Sequence, residues 1–165
     1  MTITAREKIF LSLTGVSLSV ELIILKSCNM QQSYTHSRGN EFVLVIEDSI
    51  ITQFKMKNDV DLVTNELSTF SSTFFPKSSI HSSMNPFCNR VMFVIIFDTN
   101  DLGFADADSN FFEFTNRLTQ SALDGDMILS QKKLKKIRAN KKRFIVNDEE
   151  CLARYKDTRI TGNNV

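Results

Sequence analysis

The stretch VMFVIIF, residues 91–97, carries the strongest strand signal in the chain. It contains seven consecutive apolar residues, four of them β-branched, and such a short unbroken run is typical of a strand buried on both faces. A second run, FVLVI at 42–46, has the same character. The two runs predict a sheet with a real core, and we expect 91–97 to be its central strand.

The segment before these runs has the alternation of a half-buried strand. Apolar residues occupy every second position from Val16 to Ile24, which is the side-chain period of a β-strand. Glu21 and three serines interrupt the wider apolar segment 9–25. A carboxylate in such a run argues against a signal peptide or a membrane anchor, so we expect a soluble domain.

The connecting segments predict a mixture of loops and a helix. Residues 50–56 predict a third strand, and the polar stretch 26–40 predicts a loop. Residues 59–70 predict a helix, since their apolar side chains recur at helical spacing. Seven serines between 68 and 83, followed by a second proline at 86, predict a serine-rich surface loop at 68–86.

The C-terminal third predicts helices. A helix is expected over 110–122, where Asn110 and Glu113 fit a capping box, and another over 128–140. A last helix is expected to start near Asn147, because the acids at 148–150 would lie in its first turn, where carboxylates favour the helix dipole.

Strands followed by helices predict an α+β or α/β fold, with a small mixed β-sheet of about three or four strands and a basic helical C-terminal arm. We divide the chain into a mixed-sheet domain, 1–126, with the serine-rich loop at 68–86, and a helical basic segment, 127–165. The length of 165 residues suits one domain with a tail. With 42% hydrophobic residues, five glycines and two prolines, the chain is neither wholly disordered nor collagen-like.

Charge is distributed unevenly along the chain. Residues 1–131 hold nine basic and fifteen acidic residues, whereas 132–143 (KKLKKIRANKKR) hold eight basic residues and no acid. This basic block predicts a nuclear import signal or a contact with DNA or RNA phosphates, and a solvated helix face is the remaining interpretation. Its candidate contact residues are Lys132, Lys133, Lys135, Lys136, Arg138, Lys141, Lys142 and Arg143.

Acidic residues cluster directly after the central strand, between 98 and 108. In α/β sheets ligands bind at the carboxyl ends of strands, and carboxylate and amide oxygens there suit Mg²⁺. Glu47 follows the other buried run. The candidate metal ligands are therefore Glu47, Asp98, Asn100 and Asp101, and an acidic loop that solvates a strand end is the alternative.

This arrangement resembles the acids of the topoisomerase–primase (Toprim) metal domain, which has a Glu after one strand and Asp-x-Asp-x-x-Gly after another. Here Glu47 follows FVLVI, and Asp98-Thr-Asn-Asp-Leu-Gly103 follows VMFVIIF. Asn100 replaces the second Asp of that motif, and Asp48 stands where a glycine commonly follows the Glu. The resemblance implies a metal site at these acids, but it covers two short motifs and does not assign the chain to the family.

Cysteine and histidine residues suggest no site of their own. Cys28, Cys88 and Cys151 are at least 60 residues apart and neither His36 nor His81 has a cysteine close by. We therefore expect three ordinary thiols in a reducing compartment, with no disulfide framework and no zinc knuckle. The chain also lacks GxxxxGK[ST], GxGxxG and GxSxG, which excludes the standard nucleotide loops and the serine-hydrolase elbow.

Taken together, these features favour a non-enzymatic interaction or accessory subunit of a larger nuclear assembly. Its partners would be other protein subunits, with Phe111 and Phe112 as contact residues, and DNA or RNA through 132–143. The expected location is nuclear, with the cytoplasm as the alternative, and no membrane, nucleotide or other cofactor is expected. The alternative function is a Mg²⁺-dependent nucleic-acid-processing or metal-binding domain that uses the acidic cluster.

Overall fold

A computed structural model describes residues 2–5, 15–107 and 145–161, with side-chain surroundings for 15–107 and 145–155. Within these ranges every strand pairing is antiparallel. In chain order the elements are β1 (Thr2–Ala5), β2 (Ser19–Leu25), β3 (Asn29–Gln31), β4 (Tyr34–His36), β5 (Glu41–Glu47), β6 (Ile50–Lys55), β7 (Val63–Leu67), β8 (Ser72–Phe75), β9 (Ile80–Asn85), β10 (Val91–Phe97), β11 (Phe104–Asp106), β12 (Ile145–Asn147) and α1 (Glu149–Thr161).

The strands form two sheets. One sheet has five strands in the order β1-β2-β10-β5-β8. The other sheet has seven strands. Five of them follow the order β11-β4-β9-β3-β12, β6 pairs with the opposite side of β9, and β7 pairs with β6. Both sheets contribute buried side chains, so the core lies between two antiparallel layers.

The central strand of the five-stranded sheet is β10, which confirms the expectation for 91–97. Alternate residues of β10 face the core, and the other residues are half-buried on the outer face. The core is completed by residues from β2, β5, β6, β7, β8 and the loop after β10. Its buried hydrophobic members are Ile23, Leu25, Val43, Val45, Ile50, Leu67, Phe75, Val91, Phe93, Ile95, Phe97 and Leu102.

The strands predicted over 16–24, 42–46 and 50–56 are also confirmed, as β2, β5 and β6. The burial of β2 is not what its alternation suggests. Ser19 and Ile23 face the core, whereas the more apolar set with Val20 and Leu22 is half-buried on the outer face. The outer face of this sheet is therefore unusually apolar for a surface.

The α+β or α/β prediction, with a mixed sheet and helices, is wrong, because the fold is mostly β. The predicted helix at 59–70 contains β7, whose residues pair with β6 from Ile50↔Leu67 to Phe54↔Val63. The predicted loop at 26–40 contains β3 and β4, and the serine-rich loop at 68–86 contains β8 and β9. Serine and threonine side chains alternate in and out along these strands, so strand structure exists without an apolar period.

The C-terminal segment contributes to the seven-stranded sheet. Its strand β12 pairs with β3, from Ile145↔Gln31 to Asn147↔Asn29. The predicted helix near Asn147 is confirmed as α1: Asp148 Oδ1 accepts hydrogen bonds from the backbone N–H groups of Glu150 and Cys151, as an N-cap does. The helices predicted over 110–122 and 128–140 lie outside the described residues, and the division into 1–126 and 127–165 stays a prediction.

A disulfide joins Cys28, in the turn between β2 and β3, to Cys151 in α1. The prediction of three ordinary thiols is therefore wrong for these two residues, and Cys88 alone among the three is a free, exposed thiol. Sequence spacing does not reveal this bond, because 123 residues separate its partners and only the fold brings their Cα atoms to 5.4 Å. Within the described part of the chain, no helix has the length and apolar character needed to cross a membrane.

Candidate metal centre

Three buried side chains with metal-ligating atoms meet between the two sheets. His36 is the last residue of β4 and His81 the second residue of β9, both in the seven-stranded sheet. Glu41 is the first residue of β5 in the five-stranded sheet. Strand alternation explains their direction, since His36, Glu41 and His81 each occupy a buried position of their strand.

The three side chains converge on one carboxylate oxygen. Glu41 Oε2 lies 3.1 Å from His36 Nε2 and 3.0 Å from His81 Nε2. One ligand atom from each residue lies within 4.8 Å of the other two, and no other group of three His, Cys, Asp or Glu residues in the described ranges does this. None of the three side chains is more than 3% exposed, so water does not screen their interaction.

The protonation of His81 follows from its neighbours. His81 Nδ1 lies 3.0 Å from the Ser79 carbonyl oxygen and 3.3 Å from Ser79 Oγ, and since the carbonyl oxygen can only accept a hydrogen bond, the tautomer with the hydrogen on Nδ1 satisfies the shorter contact. In neutral His81 the Nε2 atom then presents a lone pair to Glu41 Oε2. Two acceptors 3.0 Å apart repel each other unless a cation, either a proton or a metal ion, lies between them.

His36 has an even clearer shortage of partners. Both of its ring nitrogens are buried and neither has a hydrogen bond of acceptable geometry, although Nε2 lies 3.1 Å from Glu41 Oε2. A buried polar group without a partner costs about 1–3 kcal/mol. A metal ion held by Nε2 and the carboxylate would satisfy this atom, so the residues present fit a bound metal.

Tyr34 completes the polar cluster from β4. Its hydroxyl group donates to the Glu41 carboxylate, with 3.2 Å to Oε1 and 3.5 Å to Oε2. Burial, followed by the charge of Glu41, raises the pKa of Tyr34 well above its ordinary value, so the phenol stays protonated. Tyr34 thus holds Oε1 and leaves Oε2 towards the two histidines.

Glu41 itself is held as a carboxylate. Burial opposes its ionisation, but polar contacts with His36 and His81 and attraction to both rings outweigh this effect, so the pKa of Glu41 is lowered from its ordinary value. A buried carboxylate beside two imidazoles is a ligand set suited to divalent transition metals.

Aromatic rings surround the cluster. Phe75 stacks on the His81 ring at 4.5 Å between centroids, and the Phe97 ring contacts His36 edge-on at 5.0 Å. The Tyr34 ring lies edge-on to His81 at 4.2 Å, and Phe104 stacks on Tyr34. These contacts fix the ring orientations and keep the surroundings of the cluster apolar.

The residues proposed from sequence as metal ligands do not meet. Glu47 ends β5 and pairs with Met92 at the start of β10, whereas Asp98 follows the end of β10. Because β5 and β10 are antiparallel, their carboxyl ends lie at opposite ends of the sheet. Glu47 forms an ion pair with Arg90 at 3.4 Å.

The acidic loop after β10 has a structural task. Asp98 accepts hydrogen bonds from the backbone and side-chain N–H groups of Asn40, at 2.8 and 2.6 Å. Asn100 donates to the Val16 carbonyl oxygen at 2.8 Å, and Asp101 pairs with Arg38. Two of these contacts hold the segment between His36 and Glu41, so the loop helps to position the buried cluster.

Replacing Asp98 with alanine should lower the free energy of unfolding by up to about 1 kcal/mol near neutral pH, because Asp98 is exposed and such contacts are screened. Its hydrogen bonds with Asn40 lower the pKa of Asp98 from the ordinary 3.8. A lowered folded-state pKa stabilises the fold above 3.8, and this contribution disappears as the pH falls through the folded-state value. Urea denaturation of both proteins between about pH 6 and pH 3 should show the difference shrinking, and replacing exposed Asp61 with alanine should leave the free energy of unfolding near neutral pH unchanged.

The other candidate residues lie outside the described residues: the basic block at 132–143, and Phe111 and Phe112. Their roles as nucleic-acid, import-receptor or partner contacts stay predictions. Sequence analysis missed the buried cluster because it placed both histidines in loops. The available signal was His36 followed five residues later by Glu41, with Tyr34 two residues before His36, where alternation would put Tyr34 and His36 on one face of a short strand.

Comparisons with known proteins identify the fold. No protein-family model matches the sequence. Spherulin-1A and Spherulin-1B of Physarum polycephalum are each 24% identical to the chain over 111 residues, which is 67% of this chain and 45% of each spherulin. The chain therefore spans less than half the length of these curated relatives.

Solved structures of two oxalate enzymes have the same fold. Oxalate decarboxylase from Bacillus subtilis, in a structure at pH 4.6, matches 88% of this chain and 36% of its own, with a TM-score of 0.75 and 14% identity. A recombinant oxalate oxidase in complex with glycolate matches 85% of this chain and 71% of its own, with a TM-score of 0.74 and 11% identity. Another structure of the decarboxylase concerns its Mn(II) centres.

The fold is the cupin β-sandwich, two antiparallel sheets around a buried His–Glu–His cluster. This finding overturns the interpretation as a non-enzymatic accessory subunit of a nuclear assembly, which depended on a mixed sheet and on the absence of a recognisable site. The alternative interpretation, a metal-binding domain, agrees better with the structure, and the candidate ligands that the fold brings together are His36, Glu41 and His81.

Proposed function

We propose that the protein binds one divalent transition metal through His36 Nε2, Glu41 Oε2 and His81 Nε2. The observation that carries the proposal is the convergence of both imidazoles on one buried carboxylate oxygen at 3.0 and 3.1 Å. These separations suit neighbouring ligand atoms on one ion with metal–ligand distances of about 2.1 Å. His36 supports the same assignment, because neither of its ring nitrogens makes a hydrogen bond of acceptable geometry, and so does the contact of His81 Nδ1 with the Ser79 carbonyl oxygen.

Two imidazoles and one carboxylate leave coordination positions open, and this set suits Mn(II) or Fe(II). The Mn(II) centres of the oxalate decarboxylase with the same fold make Mn(II) the first metal to test. When bound, the ion supplies Lewis-acid chemistry to a small organic molecule. The chain's own residues orient the ligands: Ser79 fixes the His81 ring, and Tyr34 holds Glu41.

We further propose that the protein works in an oxidising compartment. The Cys28–Cys151 disulfide supports this location, because disulfides form and persist outside the reducing cytosol and nucleus. The oxalate enzymes with the same fold support a role for this site in small-molecule chemistry, and an activity of the whole protein on such a molecule is part of the same proposal. The import role of 132–143 stays a separate prediction.

Mn(II) should stabilise the chelator-treated protein. A free metal concentration 100 times the dissociation constant is expected to add about 2.7 kcal/mol to the free energy of unfolding. Differential scanning calorimetry with and without Mn(II) measures this gain, and electron paramagnetic resonance reports the bound ion. His81→Gln should remove both signals.

Glu47→Gln provides the matched control, because Glu47 is a carboxylate of the earlier candidate set at the opposite end of the sheet. It should leave Mn(II) binding unchanged. If Glu47→Gln removed binding and His81→Gln preserved it, the metal would lie at the acidic residues and the proposed centre would be wrong. Absence of binding by either readout at millimolar Mn(II) would refute the proposal directly.

A further inference from the structure

The disulfide between Cys28 and Cys151 is buried, whereas the third cysteine of the chain is not. Both disulfide-bonded residues are 0% exposed, and Cys88 is an exposed free thiol. A dissolved thiol reductant reduces a disulfide by direct attack of its sulfur on one of the two bonded sulfur atoms. Because solvent does not reach either atom, direct reduction requires local opening of the folded protein around the bond.

The contacts of Pro86 bring the free thiol close to this disulfide. The Pro86 carbonyl oxygen lies 3.3 Å from Cys151 Sγ, and the Tyr155 hydroxyl group donates a hydrogen bond to the same oxygen at 3.2 Å. The Tyr155 side chain also forms a hydrogen bond with Cys88, and this contact raises the pKa of Tyr155 from its ordinary value. Two oxygen atoms, the Tyr155 hydroxyl and the Pro86 carbonyl, therefore link Cys88 to Cys151 Sγ.

Asn85 joins the turn that carries Cys28 to the loop that carries Cys88. Asn85 is the last residue of β9 and is 1% exposed. Its Nδ2 atom donates to the Lys26 carbonyl oxygen at 3.1 Å and to the Asn89 carbonyl oxygen at 2.7 Å. Lys26 lies two residues before one cysteine and Asn89 one residue after the other. One buried amide thus connects the two backbone segments, and all three cysteines belong to one packed region.

The two disulfide sulfur atoms have different surroundings. The Ser27 hydroxyl group donates to Cys28 Sγ at 3.7 Å. A thiolate accepts a hydrogen bond more strongly than a disulfide sulfur does, so this donor stabilises Cys28 as a leaving group. Cys151 Sγ instead contacts the Pro86 carbonyl oxygen, two residues before Cys88. Both contacts favour attack of Cys88 on Cys151, with Cys28 as the sulfur that leaves.

We propose that Cys88 is a relay thiol through which small thiol reductants open the buried disulfide. In the first step the Cys88 thiolate attacks Cys151 Sγ: the Cys88–Cys151 bond forms, the Cys28–Cys151 bond breaks, and Cys28 leaves as a thiolate. The proton that Cys88 releases on ionisation balances the proton that Cys28 takes up. No electrons enter or leave in this step, and the molecule still contains one disulfide and one thiol.

The second step reduces the protein. The new disulfide includes Cys88, whose loop position is exposed, so the thiolate of a small dithiol attacks the Cys88 sulfur and Cys151 leaves. The second thiol of the reductant then closes its own disulfide and releases Cys88. The dithiol loses two electrons and two protons, which the protein gains as two new thiols. Helix α1 then has no covalent link to Cys28, so the relay makes the attachment of α1 sensitive to reductant.

Dithiothreitol, a small dithiol, tests the relay on the full chain under native conditions near pH 8. Acid quenching, alkylation and peptide mass spectrometry follow the loss of the Cys28–Cys151 bond with time. Cys88→Ser should slow this loss at least about tenfold, because only local opening then exposes the bond to the reductant. Asn89→Ser is the matched control, since it is also an exposed position of the same loop, and it should leave the rate unchanged.

The reach of the thiol has a separate test. In Cys28→Ser, oxidised glutathione should close a Cys88–Cys151 bond within the folded protein, and circular dichroism confirms that the variant is folded. Two glutathionylated or free thiols in that folded variant would show that the sulfur atoms do not meet, which would overturn the relay.

Two results of the rate measurement would also overturn the proposal. Equal rates in the wild type and in Cys88→Ser would show that dithiothreitol reaches the disulfide without the free thiol. A slower rate in Cys88→Ser together with a higher free energy of unfolding, measured without reductant, would assign the effect to rarer opening of the protein. A slower rate with unchanged stability is the result that the relay predicts.

Discussion

Replacing Glu41 with glutamine is expected to lower the Mn(II) affinity of the protein by at least about a hundredfold. Glutamine keeps the shape of the side chain but removes the negative charge on which both histidines converge. The metal would then retain two neutral imidazoles, and its own charge would be buried without compensation. Titration calorimetry measures the loss, and the Tm rise on Mn(II) addition should disappear with it.

Tyr34→Phe provides a graded comparison for the same measurement. It removes the hydroxyl group that donates to Glu41 but leaves all three ligand atoms in place. Loss of such an outer hydrogen bond typically costs ten- to a hundredfold in metal affinity, so Tyr34→Phe should fall between the wild type and Glu41→Gln. If Glu41→Gln bound Mn(II) as tightly as the wild type, Glu41 would not be a ligand and the buried cluster would be a hydrogen-bonded network without metal.

Sequence reasoning succeeded where strands carry apolar residues. The core positions of β10 and β5 belong to unbroken apolar runs, and β6 has enough apolar and β-branched residues to predict a strand. Sequence reasoning failed along β4 and β9. The inward positions are Tyr34 and His36 in β4, and His81, Ser83 and Asn85 in β9. These strands surround the site, and a buried polar site removes the apolar period by which strands are predicted.

Turn chemistry hid the remaining strands. The connection between β6 and β7 has Asp59 at φ 61°, the turn between β7 and β8 has Phe70 at φ 65°, and Ser78 before β9 has φ 68°. Glycine or asparagine usually marks such left-handed positions, and the chain uses other residues. Without those markers the segments 59–70 and 68–86 read as a helix and a loop, although both contain strands. The convergence of His36, Glu41 and His81 depends on these strands, so it was not predictable from the local sequence pattern.

Removing the disulfide should have the largest effect on stability. A Cys28→Ser/Cys151→Ser double variant is expected to lose about 2–5 kcal/mol of unfolding free energy, because the bond closes a long loop and restricts the unfolded chain. The sequence separation is 123 residues. Guanidinium denaturation with matched m-values measures the difference, and a reducing agent should destabilise the wild type by a similar amount while leaving the double variant unchanged.

Cys88→Ser is the control for this experiment. Cys88 is an exposed free thiol, so its replacement should alter the unfolding free energy by no more than about 0.5 kcal/mol. An equal loss in Cys88→Ser and in the double variant would show that thiol substitution, and not the crosslink, is responsible. A double variant as stable as the wild type under oxidising conditions would remove the main support for an oxidising compartment.

The disulfide also bears on the buried site, through the edge of the seven-stranded sheet. Cys28 immediately precedes β3, and α1 immediately follows β12, the strand that pairs with β3. Because Gln31 ends β3 and its side chain is buried, loss of the crosslink should loosen a strand of the sheet that also carries His36 and His81. Hydrogen exchange should therefore show faster exchange of β3 and β12 amides in the double variant, with β10 protected until global unfolding. Equal protection of β3 in both proteins would limit the crosslink to its effect on the unfolded chain.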